Sequence, residues 1–330
     1  MSHRIVITGA SGFIGSFLVD EALRLGYDVT AAIRSGSPRT FLADPRIRFV
    51  SLAYETPERL VAQLRDLAPD YVIHCAGTTG TKGYAEFEKV NYEYTRNLVD
   101  TLNRTGLPIK KFLYMSTLAV YGPGDPVTFA PLSQGMTEQP MTMYAMTKLK
   151  AERYIASAST YPFVIVRPTA VYGPRDKDFL AYFKWIERGL EPHIGTHRQM
   201  LSMIYVKDLA EASLALLELP GGAPMYIASD GQAYEEADLG RHIRTVMQKK
   251  PFSLRIPLPL LRPLLAVSDT VHGWLGSHPF LSSEKLEEVS AANWLCDSTP
   301  LWTALRRSPR YLLHDGIAET AAWYREQGWL

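Results

Sequence analysis

The chain has 330 residues, 46% hydrophobic and 21% charged, with 35 basic against 34 acidic side chains. That is apolar mass for one large domain or two coupled ones, and a net charge of +1 gives no global field to draw the protein onto nucleic acid or an anionic membrane. Two cysteines, Cys75 and Cys296, are too few for a disulfide framework, and no Cys/His cluster suggests a metal.

RIVITG (4–9) reads as an apolar strand ending in glycine, with no signal-peptide pattern before it, so a cytoplasmic location is expected. GFIGSFLVDEALRLG (12–26) reads as a helix closed by Gly26. DVTAAIR (28–34) and IRFVSLA (47–53) are strands, PERLVAQLRDL (57–67) is helical, and DYVIHCAG (70–77) is a strand in which Cys75 reads as a buried core thiol. NYEYTRNLVDTLNRTG (91–106), helical and closed by Gly106, precedes the strand KKFLYMST (110–117). MYAMTKLKAERYIASAS (143–159) is the next helix and FVIVRP (163–168) the next strand. Alternating β and α units predict an α/β fold of the Rossmann type, a doubly wound parallel sheet with helices on both faces. After Pro174 the pattern changes. DFLAYFKWIERG (178–189) and IYVKDLAEASLALLEL (204–219) are helical, and PMYIAS (224–229) is a strand that rejoins the sheet. We therefore expect residues 1–174, with 204–229, to form a nucleotide-binding domain, and 175–203 with 230–330 to form a smaller, mostly helical substrate lobe. LRIPLPLLRPLLAV (254–267), with three prolines and two arginines, is too short to span a membrane and reads as a greasy surface or a pocket wall.

Gly9, Gly12 and Gly15 follow the first strand and open a helix. Gly9 permits the tight turn, Gly12 lets a pyrophosphate approach the backbone, and Gly15 lets helix and strand pack closely. The helix N-terminus then faces the phosphates. The second strand ends at Arg34 with no acid to hold a ribose diol. Arg34, Ser35 and Ser37, helped by Arg39, suit a 2′-phosphate, so NADP is expected over NAD; a surface arginine is the alternative. Tyr144 and Lys148 stand four apart and share a helical face, as a proton-transfer pair or as two ordinary residues of an amphipathic helix.

In order along the chain, TGASGFIG (8–15), HCAG (74–77), NYEYTRNL (91–98), MSTLAVYG (115–122), YAMTK (144–148), RPTAVYGPRD (167–176), YVKDLAEA (205–212) and HDGIAETAAWYREQGWL (314–330) resemble motifs of the extended short-chain dehydrogenase/reductase family, the NAD(P)-dependent epimerase/dehydratase group. The resemblance covers nearly the whole chain. It implies that Tyr144 exchanges a proton with a substrate hydroxyl, its pKa lowered by Lys148 and an oxidised nicotinamide, and that Lys148 holds the nicotinamide ribose. It implies that Thr117, or second Ser116, hydrogen-bonds the substrate oxygen, and that Asn91 supports this geometry, a helix N-cap being the other reading. Cofactor contacts are expected from Gly9, Ser11, Gly12, Phe13, Ile14, Gly15, Arg34, Ser35, Ser37, Ala53, Tyr54, Cys75, Ala76, Gly77, Thr78, Ser116, Tyr144, Lys148, Pro168 and Val171. Substrate contacts are expected from Thr79, Lys82, Thr117, Arg175, His193, Arg198 and Met203, although Lys82 reads more readily as a solvated loop lysine. A homodimer through the helices at 92–105 and 144–159 is implied.

The departures narrow the chemistry. Ala53 and Tyr54 stand where the family often has an acid near adenine, and Tyr94 and Lys207 replace a usual glycine and a usual aspartate. Leu118 and Ala119 follow Thr117 where dehydratases carry an acid–base pair, which argues against elimination. Arg34 and the apolar tail (257–267, Trp274, Phe280 and 282–297) favour a reductase or dehydrogenase acting on a small molecule. A nucleotide-sugar epimerase that recycles its hydride is the alternative, with Arg198 as the arginine for a diphosphate, and an NADP-sensing regulator is the third reading.

Overall fold

A computed structural model of the protein describes residues 2–80, 83–263, 265 and 283–330; the expectations for Lys82, Trp274 and Phe280, and for 266–282 of the apolar tail, lie outside them. The strands β1 (Arg4–Thr8), β2 (Asp28–Ala32), β3 (Arg48–Val50), β4 (Tyr71–His74), β5 (Lys111–Met115) and β6 (Phe163–Pro168) are joined by β11 (Met225–Ala228) in one seven-stranded sheet of order β11-β6-β5-β4-β1-β2-β3. Every pairing in it is parallel. Its central strands are near-continuous apolar runs because both faces are covered. Covering them are α1 (Phe13–Arg24), α2 (Pro57–Leu67), α4 (Tyr94–Thr105), α5 (Met143–Ala158) and α7 (Val206–Glu218). α4 does not begin at Asn91: α3 (Tyr84–Phe87) runs through a π-helical turn, Glu88–Glu93, into it. The chain leaves β1 toward β2 on one side and arrives at β4 on the other. The strand order therefore reverses beside β1, and a crevice opens at the C-terminal strand ends.

The later part holds α6 (Asp178–Glu187), α8 (Glu236–Met247) and the helix Leu313–Glu326, packed on a core that includes Tyr172, Phe183, Tyr205, Ile243 and Tyr324. It is mostly helical, as expected, and also holds short strands. β7 (Ala170–Tyr172) pairs with β10 (Met203–Tyr205), and β8 (Leu190–Ile194) pairs with β13 (Phe252–Ile256). β12 (Tyr234–Glu235), β9 (Met200–Leu201) and β14 (Asn293–Trp294) form a third small sheet. Strands this short show no alternation that a sequence reading can use.

Candidate active site

The glycine turn is built as its spacing demands. Gly9 has φ +66°, and a Cβ there would lie 2.7 Å from Cys75 O and Ala76 N. A Cβ on Gly15 would lie 2.1 Å from Gly9 O, so α1 crosses directly over the turn. Gly12 caps α1 with no side-chain hydrogen bond and no acid in the first turn, and a Cβ on it would meet only Gly9 O at 3.2 Å. The helix start thus offers N–H groups and a positive dipole end beside open space, which fits a pyrophosphate. Ser11, Phe13 and Ile14 are half-buried around it, with Phe13 and Ile14 packed against the main core.

Beyond β2, Arg34, Ser35, Ser37 and Arg39 join Phe49, Val50 and Ser51 around a cleft of about 380 Å³. Ser37 N donates to Arg34 O at 3.0 Å, which turns the loop back, and the Arg39 guanidinium lies 4.0 Å over the Phe49 ring. Two guanidiniums and three serine hydroxyls in one cleft fit a ribose phosphate. Ala53 and Tyr54 follow β3. Ala53 N donates to Gln63 Oε1 and Tyr54 O accepts from Asn97 Nδ2, each at 2.9 Å. Tyr94, in place of the usual glycine, stacks on Tyr54 at 4.9 Å and donates its hydroxyl to Glu55 at 2.7 Å.

The chemistry gathers at the ends of β4 and β5 and the start of α5. Thr142 caps α5, its hydroxyl accepting from Ala145 N at 3.2 Å, and so sets Tyr144 in the first turn and Lys148 in the next. Thr117 begins a 3₁₀ turn, Leu118–Tyr121, its hydroxyl accepting from Ala119 N at 3.2 Å, and stands close enough to the Tyr144 phenol to favour its ionised form. Lys148 is buried, donates to Met115 O at 2.6 Å and lies 4.4 Å over the Tyr114 ring. Burial brings its pKa down to about 8, against the opposing pull of Cys75 and Glu152. Tyr144 departs from expectation. Burial first, then the charges of Glu288 and Cys75, push its phenol up, and only the neighbouring Thr117 hydroxyl opposes them. With Lys148 turned to Met115 O, the polypeptide by itself keeps Tyr144 protonated. Glu288, on the helix Ser283–Val289, was not foreseen; it reaches the site from the far end of the chain, where no local pattern marks it.

Ser116 is excluded as a substitute for Thr117, because its buried hydroxyl donates to Glu152. Glu152 stands one turn after Lys148 and is paired with buried Arg167, which also reaches Glu138 at 3.0 Å. Asn91 is not an N-cap. It lies buried inside the π turn, accepts from Thr78 N at 2.8 Å, and donates to Thr78 O at 3.1 Å and Thr147 Oγ1 at 3.2 Å. A π turn re-aims a side chain that a regular helix would place elsewhere. Behind it runs a buried chain that the sequence did not disclose. Thr95 Oγ1 donates to Asn91 O, so His74 Nε2 donates to Thr95 at 3.0 Å, and His74 Nδ1 accepts from Thr8 Oγ1 at 2.7 Å. Burial, with the Lys148 charge, holds His74 neutral, its pKa near 3.

Other expected residues divide. Cys75, half-buried rather than buried, and Ala76 follow β4, where Ala76 N donates to Thr8 Oγ1 at 3.1 Å. A Cβ on Gly77 would lie 3.7 Å from Lys148 Nζ, so this segment borders the Tyr–Lys pair. Pro168 closes β6, Val171 packs on the main core from β7, and Thr79 is exposed. Four substrate candidates lie elsewhere. Arg175 turns to α1, 2.8 Å from Asp20 and 3.0 Å from Ser16, over the rings of Phe17 and Phe41. His193 is buried against α8, 2.8 Å from Glu236. Arg198 is exposed and paired with Glu235 at 2.7 Å. Met203 is a core residue of β10.

A cofactor turn, a Thr–Tyr–Lys cluster and a crevice at a sheet switch point define a nucleotide-dependent enzyme of the extended short-chain dehydrogenase/reductase type. The model of the NAD dependent epimerase/dehydratase family matches residues 5–227, and the chain belongs to that family. The family uses NAD(P). The chain is similar to a ceramide reductase of Caulobacter vibrioides, 25% identical over 99% of this chain and 96% of the relative. It is also similar to a UDP-glucose 4-epimerase of Vibrio cholerae, 26% identical over 84% and 87%. The structure of a UDP-glucose 4-epimerase from Thermotoga maritima, with UDP-glucose, superposes with a TM-score of 0.80 at 20% identity over 98% and 99% of the two chains.

Proposed function

We propose that the protein is an NADP-preferring oxidoreductase that moves a hydride between the nicotinamide and a carbonyl or alcohol carbon of a small molecule. The observation that carries this is the meeting of Thr117, Tyr144 and Lys148 beside the glycine turn, with Arg34, Ser35, Ser37 and Arg39 around the cleft beyond β2. NADPH, when bound, supplies the hydride to the carbonyl carbon. Tyr144 gives its phenolic proton to the carbonyl oxygen and takes it back in the reverse direction. Thr117 holds the same oxygen. Lys148 places a cation beside the phenolate left behind and holds the nicotinamide ribose, while Asn91 fixes the loop at Thr78 and positions α5 through Thr147. Leu118 and Ala119 are buried and apolar, so elimination has no acid or base at that point.

A diphosphate-bearing substrate needs cations, and the structure argues for a less charged one. Arg198 and Arg175 are engaged by Glu235 and Asp20, and the sequence holds no lysine or arginine between Arg262 and Lys285. The likeness to UDP-glucose 4-epimerase supports the second reading, epimerisation with the hydride retained. A homodimer through α4 and α5 accompanies the proposal and is tested by light scattering. The deciding experiment presents ketones, hydroxysteroids and nucleotide sugars with NADP(H) and NAD(H), following nicotinamide absorbance and product mass, with Tyr144→Phe as control. A net absorbance change lost in the variant supports the oxidoreductase. An isomerised sugar without net change replaces it with the epimerase.

A further inference from the structure

The ribbon formed by β8 and β13 has two unlike faces. Its parallel register pairs Phe252 with Leu190, Leu254 with Pro192 and Ile256 with Ile194, so these six side chains share one face. The other face carries Glu191 and His193, both buried, with Glu191 2.7 Å from Arg244 and His193 2.8 Å from Glu236 of α8. No residue of the apolar face is buried, and Phe252 is 70% exposed and Leu254 38%. Just beyond the ribbon Leu260 is 62% exposed. Six apolar residues in one unburied face are more than the scattered hydrophobics of an ordinary surface.

Basic side chains outnumber acids along the edges of this face. The stretches 184–194 and 248–256, which lead into and form the ribbon, contain Lys184, Arg188, Lys249 and Lys250, with Arg255 on the opposite face beside His193, against Glu187 and a Glu191 that Arg244 engages. Arg188, Lys249 and Lys250 are exposed at the end where both strands begin. At the other end, exposed Arg262 pairs with Glu287 at 2.9 Å. An apolar plane edged with cations is complementary to an anionic bilayer surface, where side chains enter the acyl boundary and ammonium or guanidinium groups meet the headgroups.

We propose that the outer face of the β8–β13 ribbon docks the protein on an anionic lipid bilayer. The protein lies on the membrane and does not span it, since among the described residues no helix is long and apolar enough to cross. The net charge of +1 gives no hint of this, because the basic residues are local. Gln199 links the ribbon to the helix that carries Glu288: its Nε2 donates to Ile194 O at 3.3 Å and to Val289 O at 3.5 Å. The proposal stands on the ribbon alone and does not depend on the oxidoreductase reading.

The test is co-sedimentation of the full chain with phosphatidylcholine vesicles and with vesicles that also contain phosphatidylglycerol. The expected result is retention on the anionic vesicles only, falling as salt is raised. Phe252→Ser/Leu254→Ser should lower the partition coefficient by roughly tenfold or more, because two apolar side chains no longer leave water. Lys249→Glu/Lys250→Glu should remove the preference for anionic lipid. NADPH binding by both variants, read by fluorescence, separates loss of docking from loss of fold. Failure of the wild type to sediment at low salt overturns the proposal, as does equal retention of the serine variant. Concentration-dependent dimerisation abolished by the same substitutions, without vesicle binding, overturns it in favour of a second copy of this chain.

Discussion

In the proposed reaction two side chains carry the chemistry, and their surroundings predict how each behaves. Burial and the charge of Glu288 favour the protonated phenol of Tyr144, which suits the proton-donor role proposed for it. Tyr144→Phe should cut turnover about a hundred- to ten-thousand-fold and leave NADPH affinity within twofold, as read by stopped-flow reduction and fluorescence titration. Lys148 has the opposite problem, a charge held in a buried site with its pKa lowered to about 8 from an ordinary 10.5. Between those values the unfolded chain binds the proton that the folded chain has released. Stability from this group therefore rises as pH rises from about 8 to 10.5, and is lost as pH falls through 8. Lys148→Met removes that dependence, so urea titrations should show the variant gaining on the wild type below pH 8 and losing the gain above 10; parallel curves would refute the assignment. Tyr144, Lys148 and Thr117 were legible because an ordered set of motifs surrounds them. Glu288, Thr95 and the Met115 carbonyl on Lys148 were not, because each is a contact across the fold with no local pattern.

At the scale of elements, α5 is fixed at both ends of its working face. Asn91 ties its Thr147 to the loop after β4, and Glu152 ties it to β6 through Arg167. Asn91→Ala strips Thr78 of two hydrogen bonds in a partly buried place and should cost about 1–3 kcal/mol in chemical denaturation, with kcat falling more than KM rises. Glu152→Leu leaves the Arg167 guanidinium facing only Glu138, whose carboxylate is partly exposed. The loss should be about 3 kcal/mol, the lower end for a broken buried pair, and Glu152→Leu/Arg167→Met should recover much of it. If the double variant is no more stable than the single one, the pair is not what joins α5 to β6. The helices and strands of the first half could be placed from periodicity and their closing glycines. The π turn at Glu88–Glu93 could not, since the sequence around Asn91 reads as ordinary helix. Nor could the six short strands other than β11 after Pro174, or the turning away of Arg175, His193, Arg198 and Met203, which depend on how the later elements fold back.

For the whole molecule, the sheet order places the cofactor turn at the centre of one continuous core. Ile5 and Ile7 of β1, Leu18 of α1, Val29 of β2, Leu113 of β5, Val166 of β6, Leu209 of α7 and Ala228 of β11 belong to a single buried cluster. That arrangement was legible from βα alternation, because parallel strands buried on both faces leave long apolar runs. A ligand that tightens the β1–α1 turn therefore stabilises the core on which α7 and β11 pack, and it does so through its affinity for the folded state alone. At a hundredfold excess over its Kd the gain is about 2.7 kcal/mol. Thermal denaturation with equal concentrations of NADPH and NADH should raise Tm more with NADPH. Arg34→Ala, by removing a charged partner from the cleft beyond β2, should weaken NADPH roughly ten- to a hundredfold and bring its Tm shift down to that of NADH. A larger shift with NADH in the wild type, or an Arg34→Ala variant that still distinguishes the two, would place the discriminating contact elsewhere than Arg34.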